Sequence, residues 1–157
     1  MRNRLIFGSA TCLAGMGLGV LVANASLASA SPGGNGMKVQ YLEIVTEDVD
    51  AVVDAYSSAL GVKFGEPDAG LGGARTASLA NGGLVGVRAP LREDEAPVVR
   101  PYWLVPDVNA ALAAAVQAGG QTAHPPLEIP GHGTFAIYHQ AGNDHGLWQR
   151  VARGESD

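Results

Sequence analysis

Cysteine is nearly missing from this chain of 157 residues: the one thiol, Cys12, lies in an apolar stretch close to the start. An internal disulfide is therefore excluded, and residues 31–157 hold no cysteine to serve as nucleophile or thiolate metal ligand. Clustered positive charge is missing too. Ten Lys and Arg are scattered among fifteen Asp and Glu, and setting aside residues 1–30 removes Arg2 and Arg4, leaving eight against fifteen, a net charge of −7. Phosphate backbones are held by grouped Lys and Arg, so no nucleic-acid partner is expected. There is no Gly-x-Ser-x-Gly elbow, and Ser57 and Ser58 fall in a helical pattern with no His nearby in sequence. Gly70-Leu71-Gly72-Gly73 lacks the following helix and the spacing of a nucleotide fingerprint and reads as a turn.

What is present begins with a leader. Arg2 and Arg4 give a positive start, Leu5 to Val22 are uncharged and apolar, and Ala28-Ser29-Ala30 offers small residues to a signal peptidase. Residues 1–30 are therefore expected to be a signal peptide, cut after Ala30, placing the protein in the periplasm or outside the cell. Two alternatives stand beside this: an uncleaved leader retained as a membrane anchor, and translation from Met37 with the product in the cytoplasm. Residues 31–36, rich in Gly, Pro and Ser, read as a linker.

From Met37 the pattern is regular. Lys38 to Thr46 alternates as a strand does, and Asp48 caps a helix that runs to Leu60 and stops at Gly61. Its buried face is expected to be Val49, Val52, Val53, Tyr56 and Leu60. Strands follow at Lys63–Glu66, Arg75–Ala80 and Leu84–Ala89, the last two joined by the Asn81-Gly82-Gly83 turn. After a charged linker, residues 91–98, whose Glu93-Asp94-Glu95 run reads as solvated, the pattern repeats. Pro101–Val105 is a strand, Asp107 caps a helix ending at Gly119-Gly120, and strands follow at Gln121–His124, Thr134–Gln140 and Gly146–Val151. A shift of 59 pairs Asp48 with Asp107, Ala51 with Ala110, Ala55 with Ala114 and Pro67 with Pro126, as an internal duplication would.

Two β-α-β-β-β units, each with Asp-Val at the start of its helix, resemble the vicinal oxygen chelate superfamily of glyoxalases, bleomycin-resistance proteins and extradiol dioxygenases. YLEIVTEDVDAVVDAY at the start and EIPGHGTFAIYHQAGNDHGLWQ at the end carry the likeness, which covers Met37 to Arg150. It implies an α+β fold: two tandem βαβββ modules, residues 37–90 and 99–152, forming an open eight-stranded cup, followed by a short tail, 153–157. It also implies where a divalent metal would sit, on one side chain from the first and one from the last strand of each unit. Those places fall on Tyr41, Arg100, Gly86 and Gly146, none of them a usual ligand. No metal and no other cofactor is therefore expected. His139, Asp144 and His145 lie around one hairpin, but His145 is one residue out of step with Gly146 and should face the other way.

Strand alternation gives the lining of the cup as Tyr41, Glu43, Arg88, Arg100, Tyr102 and Trp148. Rings and guanidinium groups on a concave surface suit a planar or partly anionic small organic molecule. The expectation is an exported, metal-independent binding protein. Two structural alternatives stay open: Glu43 neutralises Arg88 or Arg100, and the aromatics fill the cup themselves. So does a catalytic one, a glyoxalase-like or hydroxylase-type enzyme with Glu43 as general base, Tyr41 or Tyr102 as acid and an arginine stabilising an oxyanion. By the same resemblance, a homodimer is an open expectation.

Overall fold

The structure is a computed structural model that describes residues 36–151; the leader, the cleavage site and the tail lie outside the described residues. The first half contains β1 (Val39–Val45), α1 (Val49–Leu60), β2 (Pro67–Asp68), one 3-10 turn (Ala69–Leu71), β3 (Ala74–Ser78) and β4 (Leu84–Arg88). The second contains β5 (Val98–Leu104), α2 (Val108–Gln117), β6 (Gln121–Ile129), β7 (Gly133–Gln140) and β8 (Asn143–Gln149).

All eight strands join one open sheet in the order β2-β3-β4-β1-β5-β8-β7-β6. The order reads the same from either edge when one half is exchanged for the other, with β1 parallel to β4, β5 parallel to β8, and an antiparallel β1–β5 seam between them. At that seam Tyr41 faces Tyr102 and Glu43 faces Arg100. Four inward-pointing residues from both halves thus meet at the centre of the sheet.

Each helix starts where its Asp places a carboxylate. Asp48 accepts from the Ala51 amide at 3.0 Å, and Asp107 accepts from the Asn109 and Ala110 amides at 2.8 and 3.1 Å. Gly61 ends α1 in the left-handed conformation, φ 66°, and returns its amide to Ser57. Both helices cover the convex face: α1 packs Val49, Val52, Val53 and Tyr56 on Ile44, Val85 and Val87, and α2 packs Val108 and Leu112 on Ala136 and Leu147. Leu60, expected on that face, is 67% exposed. It stands in the last turn of α1, past the end of the apolar cluster, which takes nothing from the helix beyond Tyr56.

Four strand boundaries differ from the sequence reading. β5 begins at Val98, three residues before the expected Pro101, because Val98, Val99 and Arg100 continue the ladder opposite Val45, Ile44 and Glu43. Lys63–Glu66 is not a strand: Val62 and Phe64 join the cluster under α1, and β2 is only Pro67–Asp68 at the sheet edge. A proline, which lacks the donor for a central ladder, is tolerated there. At the other edge β6 runs on past His124 to Ile129, with register shifts that take up Pro125 and Pro126. β8 begins at Asn143, three residues before Gly146, because Ala141 (φ 51°) and Gly142 (φ 82°) close a two-residue hairpin from β7.

Candidate functional site

The concave face encloses a cavity of about 470 Å³, within the range of small-molecule sites. Tyr41, Glu43, Arg88, Arg100, Tyr102 and Trp148 all line it, so the structure brings together the six residues that alternation selected. Leu71, Leu127, Ile129, Phe135 and Ile137 add an apolar wall, and Glu95 and Asp144 add two carboxylates that sequence reading had not placed in the cup.

At one end the charged groups form a continuous chain. Arg88 Nε donates to Glu43 Oε1 at 2.8 Å, Arg100 Nη1 donates to Oε2 at 2.5 Å, and the Tyr102 hydroxyl donates to the same Oε2 at 3.1 Å. The outer nitrogens of Arg88 then meet both oxygens of Glu95, at 2.9 and 2.7 Å. Arg100 Nη2 donates to Asp144 at 2.9 Å, and Asp144 in turn faces His139 Nδ1 at 3.2 Å. Glu43, Arg88 and Arg100 are all buried. Glu43 thus neutralises both arginines, each of which carries a second carboxylate as well. Three carboxylates against two guanidinium groups leave the chain with a formal charge of −1.

These contacts fix protonation. The hydrogen bonds from Arg88, assisted by the Leu91 amide and opposed by burial, hold the Glu95 carboxyl down at about 2. Burial alone would raise Asp144, but bonds from His139 and Arg100 outweigh it and keep that carboxyl below its usual range. Burial, followed by the nearby Glu43 charge, pushes the phenols of Tyr41 and Tyr102 well above the ordinary tyrosine range, so both stay protonated.

Beside the charges lies an aromatic cluster. Tyr41, Tyr102 and Trp148 have ring centres 5.5 to 5.7 Å apart in tilted and edge-on pairs, and Phe135 stacks on Trp148 at 6.4 Å. Two glycines make room for it. A Cβ on Gly86 would collide with the hydroxyl end of Tyr41, and a Cβ on Gly146 with the ring of Tyr102. Two polar atoms of these residues, Tyr41 Oη and Arg100 Nε, are enclosed in the packing without a hydrogen-bond partner among the described residues. Such atoms are costly to leave unmet.

The positions at which the resemblance would put a metal carry a phenol, a guanidinium and two bare backbones, and tyrosine rings lie over both glycines. This donor set does not fit a divalent cation. None of the four histidines stands at those positions, although His124 lines the cavity. His145 stacks on Tyr138 at 5.1 Å on the helix-covered side, His124 stacks on Phe135 at 4.9 Å, and His132 Nε2 lies 3.1 Å from Asp68.

Glu95 corrects the sequence reading most directly: it is not solvated but folds in from the linker onto Arg88. Nothing in the Glu93-Asp94-Glu95 run singles out its third member, because a linker has no periodicity to reveal direction. Asp144 was legible in principle, since it stands two residues before Gly146 on β8 and shares its face.

No protein-family model matches the chain, and no curated protein matches it. Solved structures do. A hypothetical protein of Bacillus halodurans C-125 superposes with a TM-score of 0.60 at 15% identity, covering 76% of this chain and 99% of its own. Methylmalonyl-CoA epimerase of Streptomyces coelicolor, in complex with 2-nitronate-propionyl-CoA, gives 0.55 at 20% identity over 73% of this chain and 98% of its own. The epimerase of Mycobacterium tuberculosis gives 0.55 at 18% over 72% and 87%. The chain has the α+β fold of vicinal oxygen chelate proteins, with its eight-stranded sheet left open.

Proposed function

We propose that the protein is a metal-independent carrier or scavenger that holds a small, ring-containing organic molecule in the cup. The observation that carries this reading is the pair of tyrosine rings lying over Gly86 and Gly146, where a metal-using relative of this fold needs ligands. A cavity of about 470 Å³ with an aromatic and aliphatic wall supplies stacking surface. Binding outranks catalysis because Glu43 already accepts from three donors. A general base must turn a free lone pair toward its substrate.

Titration calorimetry with 2-naphthamide, a neutral bicyclic probe of suitable size, tests the reading. Saturable one-to-one binding that is lost in Trp148→Ala is expected. Absence of heat with this probe and with a panel of comparable ring compounds would remove it. The catalytic alternative, with Glu43 as base, requires Glu43→Gln to abolish turnover while ligand is still bound. Export with cleavage after Ala30 belongs to the same proposal, and the intact mass of secreted protein checks it. A homodimer does too, and sedimentation of the purified domain checks that.

A further inference from the structure

The linker between the halves reaches into the cup through one side chain. From Leu91 to Pro97 every residue is exposed except Glu95. Among the described residues, no other linker side chain hydrogen-bonds to the sheet. Glu95 lays its two oxygens on the two outer nitrogens of Arg88 in a fork-to-fork pair, at 2.9 and 2.7 Å. Its second bond, from the Leu91 amide at 2.7 Å, stays within its own turn, which the Glu95 amide closes on Arg92 O at 3.1 Å. The Nε of Arg88 is fixed separately by buried Glu43, so the guanidinium keeps its orientation whether or not Glu95 is there. Leu91, on the same turn, lies beside Gly72, as does the Arg88 stem, and lines the cavity.

Building on the ligand-binding reading above, we propose that Glu95 is a built-in stand-in for the carboxylate of the ligand, and that the cup takes a planar ring acid whose carboxylate replaces Glu95 on Arg88. The exchange is one carboxylate for another, so the charge balance around the two arginines is preserved. The ring of such an acid lies against Tyr41, Trp148 and Phe135. Release of Glu95 frees the turn from Leu91 to Glu95 to swing outward, which makes the linker a strap that opens for acids and stays shut for neutral compounds.

The probes are 2-naphthoate and its neutral counterpart 2-naphthamide, titrated into the full domain and into Glu95→Gln. Removing the competing carboxylate is expected to raise the ratio of naphthoate to naphthamide affinity about tenfold, the equivalent of ~1.4 kcal/mol. An unchanged ratio with both compounds bound overturns the strap and leaves the binding site standing. No binding of either compound to either protein overturns both. A second readout needs no variant: hydrogen exchange of the Leu91 amide in the unaltered protein should quicken on saturation with naphthoate and stay unchanged with naphthamide. Unaltered protection with naphthoate bound overturns the exchange of carboxylates.

Discussion

Glu43 accepts hydrogen bonds from one guanidinium of each half, and its energetics follow from burial. A carboxylate shared by two buried guanidinium groups stabilises little by itself, because desolvation cancels much of the attraction. Removing it leaves each guanidinium paired only with its outer carboxylate, Glu95 or Asp144, and with its inner N–H unmet. Glu43→Ala is expected to lower unfolding free energy by about 1–3 kcal/mol in urea melts. Adding Arg100→Met to that variant should recover part of the loss, since one unmet buried donor is gone. Full additivity of the two single changes would contradict the coupling. The pH response follows from Glu95 and Asp144, both held below their ordinary values in the folded state. Their stabilisation is complete above the unfolded values and is lost as pH falls, for Glu95 between about 4.5 and about 2. The melting temperature of Glu95→Gln should therefore lie below that of the unaltered protein at neutral pH, with the gap closing over that acid range.

At the level of strands and helices, the glycines of β4 and β8 are there for their neighbours. Gly86→Ala should cost about 1–3 kcal/mol because the new methyl meets the far end of Tyr41, and Tyr41→Val in the same chain should restore most of it. Gly65→Ala is the control: its Cβ would sit 3.8 Å from Thr76 O, an ordinary contact, and its stability should barely change. The helices were legible in the sequence because Asp48 and Asp107 cap them by local chemistry. The face of each central strand was legible because alternation has a period of two. Edges were not. The run of β6 through Pro125 and Pro126 depends on a bulge, and the loss of Lys63–Glu66 as a strand depends on Phe64 preferring the apolar cluster to a ladder. The six cup residues came from alternation counted from the positions that the resemblance places in the cup, whereas Glu95 came from a tertiary return of the linker that no local pattern encodes.

For the whole molecule, the two similar halves meet at a seam where β1 and β5 run antiparallel, so residues pointing inward from β1 meet partners on β5. In metal-using proteins of this fold, as the resemblance implies, an ion ties such halves together. Here the chain Glu95–Arg88–Glu43–Arg100–Asp144 spans from the linker through β4, β1 and β5 to β8 and makes the same connection with salt bridges. The cup beside that chain is then free to hold an organic molecule instead of an ion. Elemental analysis of the purified domain, followed by 2-naphthamide titration before and after exhaustive EDTA treatment, tests this most directly. The expected result is less than a tenth of an equivalent of any divalent metal, a rough threshold for ordinary trace contamination, and an affinity unchanged by the chelator. A stoichiometric metal, or binding that EDTA abolishes and Zn²⁺ or Mn²⁺ restores, would contradict it.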